Sequence, residues 1–190
     1  AGGTVVNLAA GALALVLSRA AGPRANLRYF LWLLAALNLL PGAGYFLFSG
    51  VLGVGDWAEV IAGWSHPAAW RAAMALAGAA LYLLVMWRLA RALAPFGTRA
   101  TYNALGRLPY LVAGALSCAA GAFDPLAGEL FLLSTVAASF GGSSGLMWLD
   151  NFLPRGAEPT LVVRRAPAWW IAAGIIGAAY IAIAGPGIRL

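Results

Sequence analysis

Few side chains in this sequence can do chemistry, and they fall in a handful of places. The densest is Asn38-Leu39-Leu40-Pro41-Gly42-Ala43-Gly44-Tyr45, inside a stretch with no charged residue from Tyr29 to Gly55. Proline removes a backbone donor and the glycines loosen the turn after it, so the spacing predicts a helix that kinks or unwinds at Pro41. The Asn38 amide lies at the same depth, where a polar group either faces a bundle interior or supports the kink. Downstream stand Asp56, Glu59 and His66. Asp56 could ligate a metal ion, or it could sit exposed and cap a short helix that begins at Trp57. Asp56 and Glu59 share a helix face at i and i+3 and could join His66 in a surface metal site; a solvent-facing interfacial histidine is the simpler reading. Gly142-Ser143-Ser144-Gly145 sets serine hydroxyls among glycines. Cys118 is the single thiol, in an apolar stretch where it serves as a small packing residue.

The elements that must position these groups follow from composition. Of 190 residues 63% are hydrophobic and 9% charged, and the mean hydropathy is +0.85, more apolar surface than a soluble core of this size could bury. A helix needs about 20 apolar residues to cross a hydrocarbon layer of about 30 Å. Stretches free of Asp, Glu and Arg run from Ala1 to Ser18, Tyr29 to Gly55, Ala72 to Trp87, Leu108 to Phe123, Leu130 to Leu149 and Ala166 to Ile188. The third and fourth are short, and each can lengthen if a flanking arginine such as Arg71 or Arg88 snorkels to the interface. The expected fold is therefore all-α, a single polytopic bundle over residues 1–190 with about six membrane-spanning helices. A barrel is disfavoured because the hydrophobic period is helical and not alternating.

The net charge of +6 comes from arginine alone, since the chain has no lysine. The arginines form no basic face with interleaved aromatics, which argues against nucleic acid as a partner. They sit instead between apolar stretches: Arg19, Arg24 and Arg28; Arg88, Arg91, Arg99 and Arg107; Arg155, Arg164 and Arg165. The alternate loops carry Asp56, Glu59, Asp124 and Glu129, with Arg71 as their one cation. By the positive-inside rule the arginine loops are cytoplasmic and both chain ends face outward. Asp124-Pro125 is expected to open a helix at the outer interface. Trp57, Trp64 and Trp70 are expected in the outer headgroup region, and Trp57, Val60, Ile61 and Trp64 fit one face of a short helix lying there. The sequence begins without methionine inside an apolar stretch, and it reads as a piece of a longer protein.

Two short motifs resemble a known family. Gly3-Thr4-Val5-Val6-Asn7 looks like the G-x-x-x-N of the second core helix of site-2 protease-like intramembrane zinc metallopeptidases, and Asn38-Leu39-Leu40-Pro41 looks like the N-x-x-P that opens the third. Gly44-Tyr45-Phe46-Leu47-Phe48-Ser49-Gly50 followed by Gly55-Asp56-Trp57 resembles a bacterial branch of that family. The resemblance covers roughly residues 1–60. It implies peptide hydrolysis in membrane-protein substrates, zinc as cofactor, Asp56 as a metal ligand, and Gly3, Asn7, Asn38, Pro41 and Gly44 as substrate-facing or core-supporting residues. The sequence departs from the pattern in two ways: it contains no H-E-x-x-H, which would have to precede Ala1, and Phe46 stands where the family's aspartate usually follows the proline. Asp56 can then reach a buried metal only if the chain unwinds after Pro41.

Gly142-Ser143-Ser144-Gly145 also matches the G-x-S-G of rhomboid serine proteases, but His66, the sole histidine, precedes it, and the helix expected to carry the partner base has none. Close helix packing explains these glycines better, as it does Gly114, Ser117, Cys118 and Gly121, or Gly174, Gly177 and Ala178. Two other functions stay open: a non-catalytic scaffold descended from the peptidase fold, and a transporter or channel subunit. The second draws thin support from Asn38, Ser134 and Ser139 within apolar stretches.

Overall fold

The computed structural model describes residues 2–123, 135–156, 158–164 and 166–184, and every regular element among them is helical. Helices α1 (Gly2–Ala20), α2 (Ala25–Leu52), α3 (Asp56–Ala62) and α4 (Pro67–Leu93) follow in order. A short 3₁₀ turn at Arg99–Thr101 and a π turn at Asn103–Arg107 lead into α5 (Leu108–Ala122). After a second π turn, Ala137–Gly141, come α6 (Gly145–Trp148), a 3₁₀ turn at Leu149–Phe152, and α7 (Pro167–Ala184). Asp124, Glu129, Ser134 and Arg165 lie outside the described residues, as do Ala1, the first part of the fifth apolar stretch and the end of the sixth.

The punctuation is chemical. Gly53 ends α2 with a left-handed φ of 67° and donates its N–H to the Ser49 carbonyl at 3.0 Å, a conformation that costs glycine little. Pro67 opens α4 at a position where no donor is lost. Arg71 folds back on the end of α2, donating to the carbonyls of Gly50 at 3.3 Å and Val51 at 3.0 Å. A guanidinium there satisfies orphan carbonyls and complements the negative end of the helix dipole.

α2 is the central helix, with α1 on one side and α4 on the other. Small residues set both distances. A Cβ on Gly11 of α1 would lie 2.6 Å from Leu39 Cγ, and one on Gly50 would lie 2.5 Å from the backbone nitrogen of Ala75 in α4. At Gly78 a Cβ would run into the backbone of Leu47. Trp32 fills the other end of the α2–α4 seam, fully buried, its Nε1 donating to the Leu89 carbonyl at 2.9 Å. Away from the seams, large apolar side chains point outward, such as Leu76 at 73% and Val6 at 64% exposure. Water would make such a surface costly; lipid does not.

α1, α2 and α4 are each long and apolar enough to cross a membrane. This is a membrane protein on that ground. α5 has 15 residues, about 22 Å of rise, and the described part of α7 has 18. Two expectations about these elements are corrected. The fifth apolar stretch is not one regular helix: its described part divides into a π turn, a turn at Gly142–Ser144, α6 and a 3₁₀ turn. α2 neither unwinds nor breaks at Pro41, which sits inside continuous helix.

The three arginine-bearing loops meet at one end of the bundle. Thr160 and Leu161 donate backbone N–H groups to the Pro95 carbonyl at 2.9 and 2.8 Å, and Asn26 exchanges two hydrogen bonds with the backbone of Arg164. Asp56, Glu59, His66 and Arg71 belong to the opposite end. There the exposed rings of Trp64 and Trp70 meet edge to face, 5.1 Å apart.

Candidate functional site

Most of the residues singled out by type and spacing collect on α2 and its neighbours. The α1–α2 seam brings Asn7 and Leu8 against Gly42, where an added Cβ would come within 3.1 Å of Leu8 and 3.4 Å of the Asn7 Cβ. Asn38 is half-buried, and its Nδ2 donates to the Leu34 carbonyl one turn back at 2.8 Å, so the amide is satisfied within its own helix. Pro41 follows on the next turn. Gly3 is exposed, and an added Cβ there would meet nothing, so no close helix contact depends on it. Gly174 on α7 is equally open, whereas Gly114 and Gly121 on α5 do receive Phe140 and Thr135.

Gly44 leads to a group that spacing alone did not assemble. A Cβ on it would lie 3.3 Å from the Tyr82 ring and 3.4 Å from the Gly142 carbonyl oxygen. The turn Gly142–Ser144 interrupts the fifth apolar stretch; the Ser144 N–H donates to the Gly141 carbonyl at 3.2 Å, and the Ser143 and Ser144 carbonyls accept from the N–H groups of Leu146 and Met147 at 2.9 Å. Tyr82 of α4 adds a tie across it. Its Oη lies 3.1 Å from the Gly142 carbonyl, to which it donates, and it accepts from the N–H of Gly145 at 2.7 Å, with Ser144 Oγ at 3.4 Å. Ser143 is buried and donates to the Ser139 carbonyl at 2.9 Å. Its hydroxyl is thus occupied, and His66 lies at the outer end of the bundle, so the four residues pack and clasp a broken helix and form no serine–histidine pair. Tyr82→Phe keeps the ring and removes the clasp. It is expected to cost about 1–3 kcal/mol, read as a lower midpoint in detergent unfolding, with Tyr45→Phe changed far less.

At the outer end Gly55, with φ of 86°, precedes α3. Asp56 is the first residue of α3 and is exposed, and its carboxylate favours the helix N-terminus by charge. Its N–H donates to Tyr45 Oη at 3.2 Å, and Tyr45 Oη lies 3.5 Å from Asp56 Oδ1. α3 is pinned to the bundle by Trp57, whose Nε1 donates to the buried Thr4 hydroxyl at 3.1 Å and whose ring packs on Phe46 at 5.0 Å. Of the expected apolar face, Ile61 is buried while Val60 and Trp64 stay exposed. Among the described residues no three His, Cys, Asp or Glu side chains stand close enough to hold a metal ion. The described residues therefore do not fit zinc by themselves. Asp56 offers one carboxylate and no more.

The arginine end holds an acid that the sequence reading passed over. Asp150 Oδ2 pairs with Arg107 Nη2 at 3.0 Å and with Arg99 Nε at 3.9 Å, while its buried Oδ1 has no hydrogen-bond partner among the described residues. Arg107 also donates to the Met147 carbonyl and to Asn103, within the π turn. The signal was present, an acid among arginines. Tyr82 carried a weaker one, a single hydroxyl in an apolar run.

No family model matches the chain, and no curated protein or solved structure matches it either.

Proposed function

We propose that this chain is the membrane-embedded C-terminal part of an intramembrane zinc metallopeptidase that hydrolyses peptide bonds of membrane proteins. In this reading it crosses a bacterial inner membrane about six times, with the arginine loops cytoplasmic. The supporting observation is the seam between α1 and α2: the helix carrying Gly3-Thr4-Val5-Val6-Asn7 lies beside the helix carrying Asn38-Leu39-Leu40-Pro41, with Asn7 against Gly42. Core helices of such an enzyme have to be neighbours for their motifs to act together. Asn7, Asn38 and Pro41 serve as positioning residues, and Gly42 and Gly44 keep α2 thin where Leu8 and Asn7 on one side, and Tyr82 and Gly142 on another, approach it. The zinc ligands beyond Asp56 and the glutamate base would come from an H-E-x-x-H helix preceding Ala1.

Metal analysis of the protein extended to its natural start tests this. It is expected to contain zinc, and Asp56→Ala is expected to lower the zinc content. Unchanged stoichiometry removes Asp56 from the site, and an upstream apolar helix without H-E-x-x-H overturns the peptidase reading.

The break at Gly142–Ser144 favours a second reading, a transporter or channel subunit, because discontinuous helices line substrate paths in that class. Tyr82 fills the gap with its own hydroxyl, which supports the first reading over this one. A scaffold derived from the peptidase fold would show the same seam and no zinc.

A further inference from the structure

An open groove of about 760 Å³ lies at the arginine end, between the start of α2, the extended segment around Leu161 and the start of α7. Its polar wall is Arg24, Asn26 and Arg164; its apolar wall includes Leu27, Val162 and Trp169. No acid is among its lining residues. The backbone segments that carry the two arginines are held together by the chain itself. Asn26 Nδ2 donates to the Arg164 carbonyl at 2.9 Å, and the Arg164 N–H donates to Asn26 Oδ1 at 2.9 Å, which ties that segment to the first turn of α2 two residues from Arg24. Arg24 also occupies the N-cap position of α2 and makes no side-chain bond to its first turn. The positive end of a 28-residue helix therefore opens on the same wall as the two arginines. Trp169 rests on Phe30 with ring centroids 5.7 Å apart and carries the groove from the charged level toward the apolar flank.

We propose that this groove binds the phosphodiester headgroup of an anionic phospholipid. Guanidinium groups and helical N–H donors take the phosphate oxygens, and Leu27, Val162 and Trp169 take the start of an acyl chain. Free phosphate would satisfy the polar wall and leave the apolar one bare, so lipid is the occupant the groove fits. The inference goes beyond the peptidase reading and does not depend on it.

The full chain is released from vesicles of equimolar phosphatidylglycerol and phosphatidylcholine, and the lipid that remains bound is weighed by native mass spectrometry. Two arginines near an anionic headgroup are expected to enrich phosphatidylglycerol roughly thirtyfold. Arg24→Gln with Arg164→Gln is expected to abolish the enrichment. Arg88→Gln with Arg155→Gln removes the same charge outside the groove and is expected to keep it. Equal retention of both lipids by the wild-type chain overturns the proposal without any variant, as does loss of enrichment in both double variants alike. Displacement of the bound lipid by inorganic phosphate at millimolar concentration would assign the polar wall to free phosphate and overturn the lipid as occupant.

Discussion

Replacing Gly78 with alanine is expected to force α2 and α4 apart. The added methyl would overlap the backbone of Leu47, and neither partner has a side-chain rotamer that could move aside, because the clash is helix against helix. Gly50→Ala acts on the same seam from the other side, with its Cβ 2.5 Å from the Ala75 nitrogen and 2.8 Å from the Arg71 carbonyl oxygen. Each change is expected to cost at the upper end of the range for overpacking, about 3 kcal/mol, and the pair should be non-additive because one displacement of α4 relieves both. A lower midpoint in detergent unfolding checks this. Gly177→Ala supplies the contrast, since its Cβ would meet Leu116 at an ordinary 3.5 Å and stability should hardly change.

That seam also shows how far the residues disclose the fold. Apolar runs located α1, α2 and α4, because few other arrangements can hide so much hydrocarbon. Their ends were less legible. α4 begins at Pro67 and reaches Leu93, past Arg71, Arg88 and Arg91, where a count of uncharged residues stops at Trp87. The lengthening past Arg71 and Arg88 was allowed for by snorkelling, but the local partners were not legible: Arg71 turns to the carbonyls at the end of α2, and Arg88 and Arg91 lie over the Trp87 ring at 5.3 and 3.9 Å. The unwinding expected at Pro41 does not occur, for a related reason. A proline removes one helical hydrogen bond, but here Asn7 and Leu8 on one side, and Tyr82 and Gly142 close to Gly44 on another, brace the helix around it. The break at Gly142–Ser144 was hidden by apolar composition, and its clasp by distance along the chain, since Tyr82 and Gly142 are 60 residues apart. In the candidate site, Asn38, Pro41 and Gly44 were marked by type and spacing, and Asn7 by the resemblance. The meeting of Gly44 with Tyr82 depends on how α2 and α4 cross, which no local pattern encodes.

The proposed orientation makes the second large prediction, an all-or-none one. If the arginine loops are held inside by the positive-inside rule, Glu59 on α3 and Arg155 beyond α6 stand on opposite sides of the bilayer. Both side chains are exposed, so cysteine at either position is accessible to reagent on its own side. Cys118 must first be replaced by alanine, a small residue of the kind already filling α5. The measurement is labelling of Glu59→Cys and Arg155→Cys in intact bacterial cells by a membrane-impermeant maleimide. The account predicts that Glu59→Cys is labelled at once and Arg155→Cys only after the cells are permeabilised; labelling of both from the same side, or the reverse order, would contradict it.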